Sequence, residues 1–154
     1  MEFSLDSKDH NILAILQKQG RIAISELAAR LNMSDTPCLR RVRKLEQTGV
    51  ISGYSAQIDP KEVGLNVVVY AFVRLTENSD LHAERFETAM QSLEQVMECS
   101  VVTGAHDYVL KIVASDLLSY ESFVKKSLGS LNCIAGIEST VVLKQNFSRS
   151  TLPL

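Results

Sequence analysis

Basic residues are concentrated in one short stretch of the first third of the chain. Residues 36–48 carry four basic side chains against one carboxylate, that of Glu46, a local net charge of +3. The whole chain of 154 residues has a net charge of −2. The four basic residues are Arg40, Arg41, Arg43 and Lys44. Because nucleic acids are bound largely through contacts of Lys and Arg with phosphates, this stretch predicts a surface that binds a polyanion.

The other reactive side chains form no recognisable catalytic or metal-binding pattern. The sequence shows no nucleophile next to a base, no cluster of carboxylates, no phosphate loop and no Cys/His set. Cys38, Cys99 and Cys133 are widely spaced and odd in number, which favours reduced, buried thiols over disulfides or a zinc site. His10 and His82 are isolated on predicted helices. We therefore expect no enzyme activity, no metal and no cofactor.

Composition indicates a folded protein without a membrane segment. Hydrophobic residues make up 45% of the chain and charged residues 22%, which is typical of globular proteins. No run approaches the roughly 18 apolar residues of a membrane span, and the N-terminus lacks the apolar stretch of a secretory signal. We expect a protein that stays in the cytoplasm.

Three helices are predicted in the first 60 residues, followed by an extended segment. Apolar residues recur at helical spacing over residues 7–19, from about 25 to 32, and over 35–48. Residues 50–58 alternate in the manner of extended chain, and Asp59-Pro60 marks a turn. The predicted first domain covers residues 1–60, with a short linker to about residue 65.

The second and third predicted helices form a helix-turn-helix pattern. Leu39, Val42 and Leu45 form a buried stripe on the third helix, which turns its basic residues towards solvent. A short helix with a basic exposed face can lie in the major groove of DNA. The alternative is a three-helix bundle whose charged face is only solvated, and it leaves the basic cluster in an acidic protein unexplained.

Candidate DNA contacts follow from this placement. Ser34, Thr36 and Arg40 lie at or near the N-terminal end of the third helix, the end that enters the groove first in helix-turn-helix proteins. We predict that they contact base edges or adjacent phosphates. Pro37 belongs to the same first turn, where proline is tolerated because backbone N–H groups have no acceptor within the helix there. The predicted phosphate contacts follow on the same helix and are Arg41, Arg43 and Lys44.

Beyond residue 65 strand patterns alternate with helical ones. The predicted strands cover residues 65–75, 96–103, 108–114 and 137–145, and the predicted helices cover 80–93 and 117–128. The order β-α-β-β-α-β is that of a ferredoxin-like domain. The predicted fold class is α+β, with a winged-helix-like helix-turn-helix domain followed by a ferredoxin-like domain over residues 66–154.

The sequence resembles the Lrp/AsnC (leucine-responsive, feast/famine) family of transcriptional regulators over essentially its whole length. Residues 5–54 are similar to the DNA-binding domain of that family, and residues 102–108, 116–131 and 151–154 are similar to its effector domain. The resemblance implies sequence-specific binding to double-stranded DNA and a homo-oligomer. In that family dimers assemble into rings, often octamers, and an amino-acid effector binds between dimers.

The resemblance also implies an effector site at the turn Thr103, Gly104, Ala105, His106, Asp107 and Tyr108. Backbone N–H groups near Gly104 could bind the carboxylate of an amino acid, and the Asp107 carboxylate could bind its ammonium group. Ser139 or Thr140 could add hydroxyl contacts. The sequence Gly-Ala-His-Asp is also typical of an ordinary hairpin turn, and His106 departs from the aromatic or small residue usual in the family.

We therefore expect a transcription regulator that responds to an amino acid. The resemblance favours an apolar effector such as leucine or methionine. Two alternatives come from the same fold. One is an architectural protein that organises DNA, since octamers of the family can wrap it, and the other is a siroheme-decarboxylase-like enzyme.

Overall fold

The chain folds into two compact units in a computed structural model that describes residues 4–77 and 79–154. Residues 1–3, at the start of the predicted first domain, and residue 78 lie outside this description. The first unit comprises the chain up to Gln57 together with Asn146–Leu154, and the second unit is Ile58–Gln145.

The C-terminal segment belongs to the first unit, whereas the sequence analysis assigned it to the second domain. The side-chain amide of Gln17 donates a hydrogen bond to the carbonyl oxygen of Leu152 at 2.9 Å and accepts one from its N–H at 2.8 Å. The Gln57 amide donates to the Ser150 hydroxyl at 2.7 Å. The last residues are therefore tied to the helical unit.

Three helices form the first unit: α1 (Ser7–Leu16), α2 (Ile24–Arg30) and α3 (Asp35–Gln47). Their buried apolar side chains form one core, which includes Ile12, Leu27, Ala28, Cys38 and Leu45. Residues 50–58, predicted as extended chain, pair with no strand in the described part of the protein. This segment is held instead by Ile51, which packs against the core and donates its N–H to the carbonyl of Leu45 at 3.0 Å.

The turn between α2 and α3 reverses the chain within four residues. Asn32 adopts φ of 51°, a left-handed conformation that Asn tolerates better than most residues and that often follows a helix end. The N–H of Met33 then donates to the carbonyl oxygen of Ala28 at 2.9 Å, which closes the end of α2. This geometry delivers the chain directly into α3.

The second unit is a four-stranded antiparallel sheet covered on one face by two helices. The elements are β1 (Val67–Leu75), α4 (Asp80–Gln91), β2 (Val96–Val101), β3 (Tyr108–Ala114), α5 (Leu117–Phe123) and β4 (Ile134–Val141). The strand order is β2-β3-β1-β4, and every neighbouring pair is antiparallel. This is the predicted ferredoxin-like arrangement.

The core of the second unit lies between the sheet and its helices. Alternate residues of β1 point inwards, and Val69, Ala71 and Val73 are fully buried against Phe86 of α4 and Phe123 of α5. The opposite face of β1 carries Tyr70, Phe72 and Arg74. We call this side of the sheet the open face, because no element of the described second unit covers it.

The predicted bounds differ from the observed ones at several elements. Helix α1 ends at Leu16 rather than residue 19, and strand β4 ends at Val141 rather than residue 145. Strand β4 begins at Ile134 rather than residue 137, because its pairing with β1 continues past an irregularity between Arg74 and Leu75. Helix α5 ends at Phe123 and continues as a wider π turn over Val124–Leu128.

Cys99 also differs from the expectation of buried thiols. It is exposed on the edge strand β2, whereas Cys38 and Cys133 are buried. No helix in residues 4–77 and 79–154 has both the length and the apolar character needed to cross a membrane.

Candidate DNA-binding surface and effector site

The solvent-facing side of α3 brings together most of the predicted DNA contacts. Positions 36, 40, 43 and 47 follow one another at spacings of three or four residues, so their side chains lie along one face of the helix. They border a shallow depression of about 430 Å³. Its lining residues are Thr36, Leu39, Arg40, Arg43, Lys44 and Gln47. This surface therefore presents basic and hydrogen-bonding groups side by side.

Arg40 and Arg43 are exposed and make no ion pair with any residue that the structure describes. Ser34 stands immediately before α3, is exposed, and makes no side-chain hydrogen bond that caps the helix. Thr36 is likewise exposed, and Pro37 is half-buried in the first turn. The N-terminal end of α3 thus offers two hydroxyl groups and one guanidinium group to a ligand.

Arg41 occupies a different environment from its basic neighbours. Its guanidinium Nη1 donates to Asp6 Oδ2 at 2.8 Å and to Asp9 Oδ1 at 2.7 Å. Asp9 is 6% exposed and is the one charged residue in the buried part of the described chain. Arg41 is therefore directed towards α1, and its charge is already neutralised inside the protein.

The two carboxylates that receive Arg41 also begin α1. The Asp6 side chain accepts the N–H of Asp9 at 2.9 Å, and the Asp9 side chain accepts the N–H of Asp6 at 3.2 Å, which forms a capping box. The N–H of Asp9 lowers the pKa of Asp6, and the Arg41 guanidinium lowers it further. The same carboxylates raise the pKa of Arg41.

The predicted effector turn connects β2 to β3. Gly104 adopts φ of 116°, a conformation that L side chains rarely take, and Thr103, Gly104 and Ala105 are exposed. Asp107 Oδ2 accepts the N–H of Leu75 at 2.8 Å, and the N–H of Asp107 donates to the carbonyl of Val73 at 2.9 Å. Asp107 therefore fixes the turn to the end of β1, and one of its carboxylate oxygens is used in doing so.

Tyr108 and Ser139 also have partners inside the fold. The buried Tyr108 hydroxyl donates to Glu87 Oε1 at 2.8 Å, and burial raises the pKa of Tyr108. The Ser139 and Tyr120 hydroxyls share a hydrogen bond of 2.6 Å. Thr140 follows Ser139 on β4, so the two side chains point to opposite faces of the sheet. The structure thus brings only Thr140 of this pair to the open face.

A groove of about 260 Å³ lies beside the turn and is lined by Arg74, His106, Gly136, Ile137 and Glu138. His106 is half-buried, with its Nε2 atom 3.4 Å from Glu138 Oε2 and its ring 5.5 Å from the Phe72 ring, measured between centroids. We call this feature the effector groove. Sequence reasoning missed Arg74 and Glu138, although the alternation of β1 could have placed Arg74 on the open face.

Comparisons with known proteins agree with both units. Residues 5–52 match a family model for winged helix-turn-helix DNA-binding domains, and residues 68–152 match the model of the Lrp/AsnC ligand binding domain. The leucine-responsive regulatory protein of Escherichia coli (strain K12) is 38% identical over 141 residues, which cover 92% of this chain and 86% of that protein.

Solved structures are similar over nearly the whole chain. A transcriptional regulator of Neisseria meningitidis in complex with L-methionine is 31% identical with a TM-score of 0.93, and the match covers 97% of both chains. An AsnC family regulator of Agrobacterium tumefaciens is 32% identical with a TM-score of 0.92 and the same coverage. A feast or famine regulatory protein of Mycobacterium tuberculosis with L-methionine is 30% identical, with a TM-score of 0.83 and coverage of 96% of this chain and 97% of that one.

A helix-turn-helix unit joined to a ferredoxin-like unit defines a DNA-binding transcriptional regulator, and these relatives are regulators rather than enzymes. The chain belongs to the Lrp/AsnC family. The predicted family, fold class and regulatory function are confirmed.

Because Arg41 makes ion pairs within the protein and Arg40 makes none with the described residues, removing Arg41 should destabilise the fold more than removing Arg40. We expect Arg41→Ala to lower the free energy of unfolding by about 1–3 kcal/mol, because the buried Asp9 carboxylate loses its partner. Arg40→Ala, one residue away and exposed, should change it by less than about 0.5 kcal/mol. Urea unfolding followed by circular dichroism measures both. Equal effects of the two substitutions would contradict the assignment.

The Arg41 contribution should also depend on pH. Because the folded-state pKa of Asp6 lies below its ordinary value of 3.8, this stabilisation is complete above about pH 5 and is lost as the pH falls through the folded-state value. We expect the stability difference between wild type and Arg41→Ala to be constant from about pH 5 to 8 and to shrink below about pH 4. A difference that persisted undiminished at acidic pH would assign the effect to packing alone.

Proposed function

We propose that this regulator binds operator DNA through the exposed face of α3 and that an amino acid bound at the effector groove controls it. The observation that carries the proposal is the row of exposed side chains on α3, in which Arg40 and Arg43 have no ion pair within the described chain. Guanidinium groups that are exposed on a helix and make no ion pair within the described chain are suited to phosphates and to the base edges of guanine.

The positions along α3 suggest different roles. Ser34, Thr36 and Arg40 lie at the end of the helix that enters a major groove, so they contact bases or adjacent phosphates. Arg43 and Lys44 lie further along and contact phosphates. Arg41 holds α3 against α1 and does not touch DNA. It is therefore withdrawn from the phosphate contacts that the sequence predicted.

The effector is an amino acid, and its side chain is apolar. Two relatives of similar structure hold L-methionine, and the second unit matches a ligand binding domain. The effector groove of about 260 Å³ is smaller than the pockets of drug-sized ligands, which begin at about 300 Å³, and so suits a small metabolite. His106, two residues after Gly104 in the predicted effector turn, lines this groove.

Self-association links the two activities. Reading a two-fold symmetric operator takes two copies of α3, which a symmetric dimer supplies. The open face, with Tyr70 36% exposed and Phe72 half-buried, gives the second unit an apolar surface for such a contact. Dimers assemble further into octamers, as the family resemblance implies, and the effector shifts self-association in the cytoplasm, where the DNA of the bacterial relatives lies.

Substitutions on α3 should separate phosphate contacts from base contacts. We expect Arg43→Ala to weaken binding to all DNA sequences and to reduce the slope of log K against log[salt] by about 1. Arg40→Ala should lower the affinity for an operator selected from a random pool by about 1–3 kcal/mol, with preference relaxed at one base position. Fluorescence anisotropy at several salt concentrations measures both.

A matched control for these variants is Arg85→Ala, which removes an exposed arginine of α4. It should leave affinity and salt slope unchanged. If Arg40→Ala and Arg43→Ala bound DNA as this control does, α3 would not be the contact surface.

Amino-acid sensing is tested by thermal unfolding with each of the twenty amino acids. A ligand present at 100 times its Kd stabilises the native state by about 2.7 kcal/mol, so a true effector raises the melting temperature. We expect a selective rise with one or two apolar amino acids, methionine or leucine among them, and a change in assembly by light scattering. No rise with any amino acid would refute the sensing role and leave the DNA-binding assignment intact.

A further inference from the structure

We propose that Arg74 and Glu138 are the charged groups that hold the main-chain atoms of the effector. The Arg74 guanidinium binds the α-carboxylate, and the Glu138 carboxylate binds the α-ammonium group. This assignment rests on the proposed amino-acid sensing role, and it moves the two charged contacts away from the Gly104 backbone and Asp107.

Arg74 is suited to a carboxylate because its charge is not compensated within the fold. Its side chain is exposed on the open face of β1 and makes no ion pair or hydrogen bond with the part of the chain that the structure describes. It lies opposite Gly136 in the β1–β4 register, and its Nη2 atom is 3.8 Å from where a Cβ on that glycine would stand. The missing side chain leaves the guanidinium group accessible for bidentate hydrogen bonds.

Glu138 supplies the opposite charge on the same face. In the register it lies opposite Phe72, two residues from the pair formed by Arg74 and Gly136. Its carboxylate is 69% exposed and has one neighbouring ring nitrogen, His106 Nε2, at 3.4 Å. The His106 ring packs beside Phe72, which fixes that side of the groove.

Arg74 and Glu138 present opposite charges to the effector groove without pairing with each other, as a site for a zwitterion requires. Diagonal positions on neighbouring antiparallel strands are about 7–8 Å apart, and Arg74 and Glu138 form no ion pair with each other. Because both charged groups border one groove, a ligand there can reach each of them with a hydrogen bond of about 2.8 Å. A direct Arg74–Glu138 bridge would have closed the groove.

Asp107 is less suited to the ammonium group. One of its oxygens already accepts the Leu75 N–H, and its own backbone is bonded to Val73. Substituting Asp107 would therefore disturb the turn whether or not a ligand binds. The Glu138 side chain makes no hydrogen bond to the described backbone, so substituting it tests ligand binding without disturbing the turn.

The test is isothermal titration calorimetry with L-methionine and L-leucine, each compared with its amide and with the corresponding acid that lacks the amino group. The amide removes the ligand's negative charge, and the deaminated acid removes the positive one. Wild type should bind the amino acid at least about tenfold more tightly than either analogue, because each lacks one charge-assisted hydrogen-bond set.

Each variant should lose discrimination against one analogue only. Arg74→Ala should weaken amino-acid binding at least about tenfold and bind the amino acid and its amide alike, with partial recovery in Arg74→Lys. Glu138→Gln should bind the amino acid and its deaminated acid alike. Arg85→Ala should behave as wild type.

The outcomes separate this inference from the sensing role on which it rests. If wild type binds an amino acid and both variants discriminate as wild type does, the inference is overturned and sensing stands. If wild type binds neither probe, the inference fails, and the screen of all twenty amino acids decides whether sensing fails too. Light scattering and thermal unfolding of the ligand-free variants check that assembly and stability are those of wild type; a loss of binding explained by disassembly would count against the assignment.

Discussion

The pair of hydrogen bonds from Arg41 to Asp6 and Asp9 is the constraint on which the DNA-binding unit depends. The two carboxylates form the capping box that begins α1, and they are also the acceptors for a guanidinium group in the middle of α3. The first turn of α1 and the orientation of α3 are therefore set by one cluster. Because Asp9 is buried, a rotation of α3 that moved Arg41 away would leave its carboxylate desolvated and without an ion pair, which is costly.

Fixing α3 in this way determines which basic residues can reach DNA. Four basic residues at positions 40, 41, 43 and 44 spread over an arc of about 160° of the helix circumference, with positions 43 and 41 at its two ends, since each residue turns the helix by about 100°. With Arg41 committed to α1, Arg40 and Arg43 face outwards without an ion pair in the described chain. The basic residues of α3 therefore have two different roles that the sequence alone does not distinguish. Arg41 stabilises the fold, and Arg40 and Arg43 present their charges to solvent.

The second unit divides its charges in the same manner. Asp107 bonds to the backbone at the end of β1 and holds the turn between β2 and β3 in place, whereas Arg74 and Glu138 remain exposed beside it. In both units a charged group with internal hydrogen bonds holds part of the fold in place: Arg41 holds α3 against α1, and Asp107 holds the turn between β2 and β3. The groups left accessible are the ones available to a ligand.

Sequence periodicity predicted most of the architecture. It gave β3 its observed bounds of Tyr108–Ala114 and placed α3 within one residue, because apolar spacing and a glycine after the helix are local signals. It misplaced the start of β4, since the irregular pairing beside Leu75 depends on the partner strand, and it missed the π turn after α5.

The roles of individual site residues were harder to predict than the elements. The partners of Arg41 lie 32 and 35 residues away in sequence, so no local pattern distinguishes it from Arg40. Asp107 similarly bonds to a residue 32 positions away. Cys99 is exposed because β2 lies at the sheet edge, a property of strand order rather than of the residues around it.

If Arg74 and Glu138 hold the effector as proposed, their charges link ligand binding to assembly. Tyr70 favours contact of the open face with a second copy, whereas the uncompensated Arg74 guanidinium on the same face opposes it, because burying an unpaired charge is unfavourable. A ligand carboxylate bound to Arg74 would neutralise that charge, and its ammonium group would do the same for Glu138. A zwitterion adds no net charge, yet it satisfies both groups locally. If these two residues hold the effector, the ligand therefore alters how readily the sheet face can be buried, without any change in the backbone.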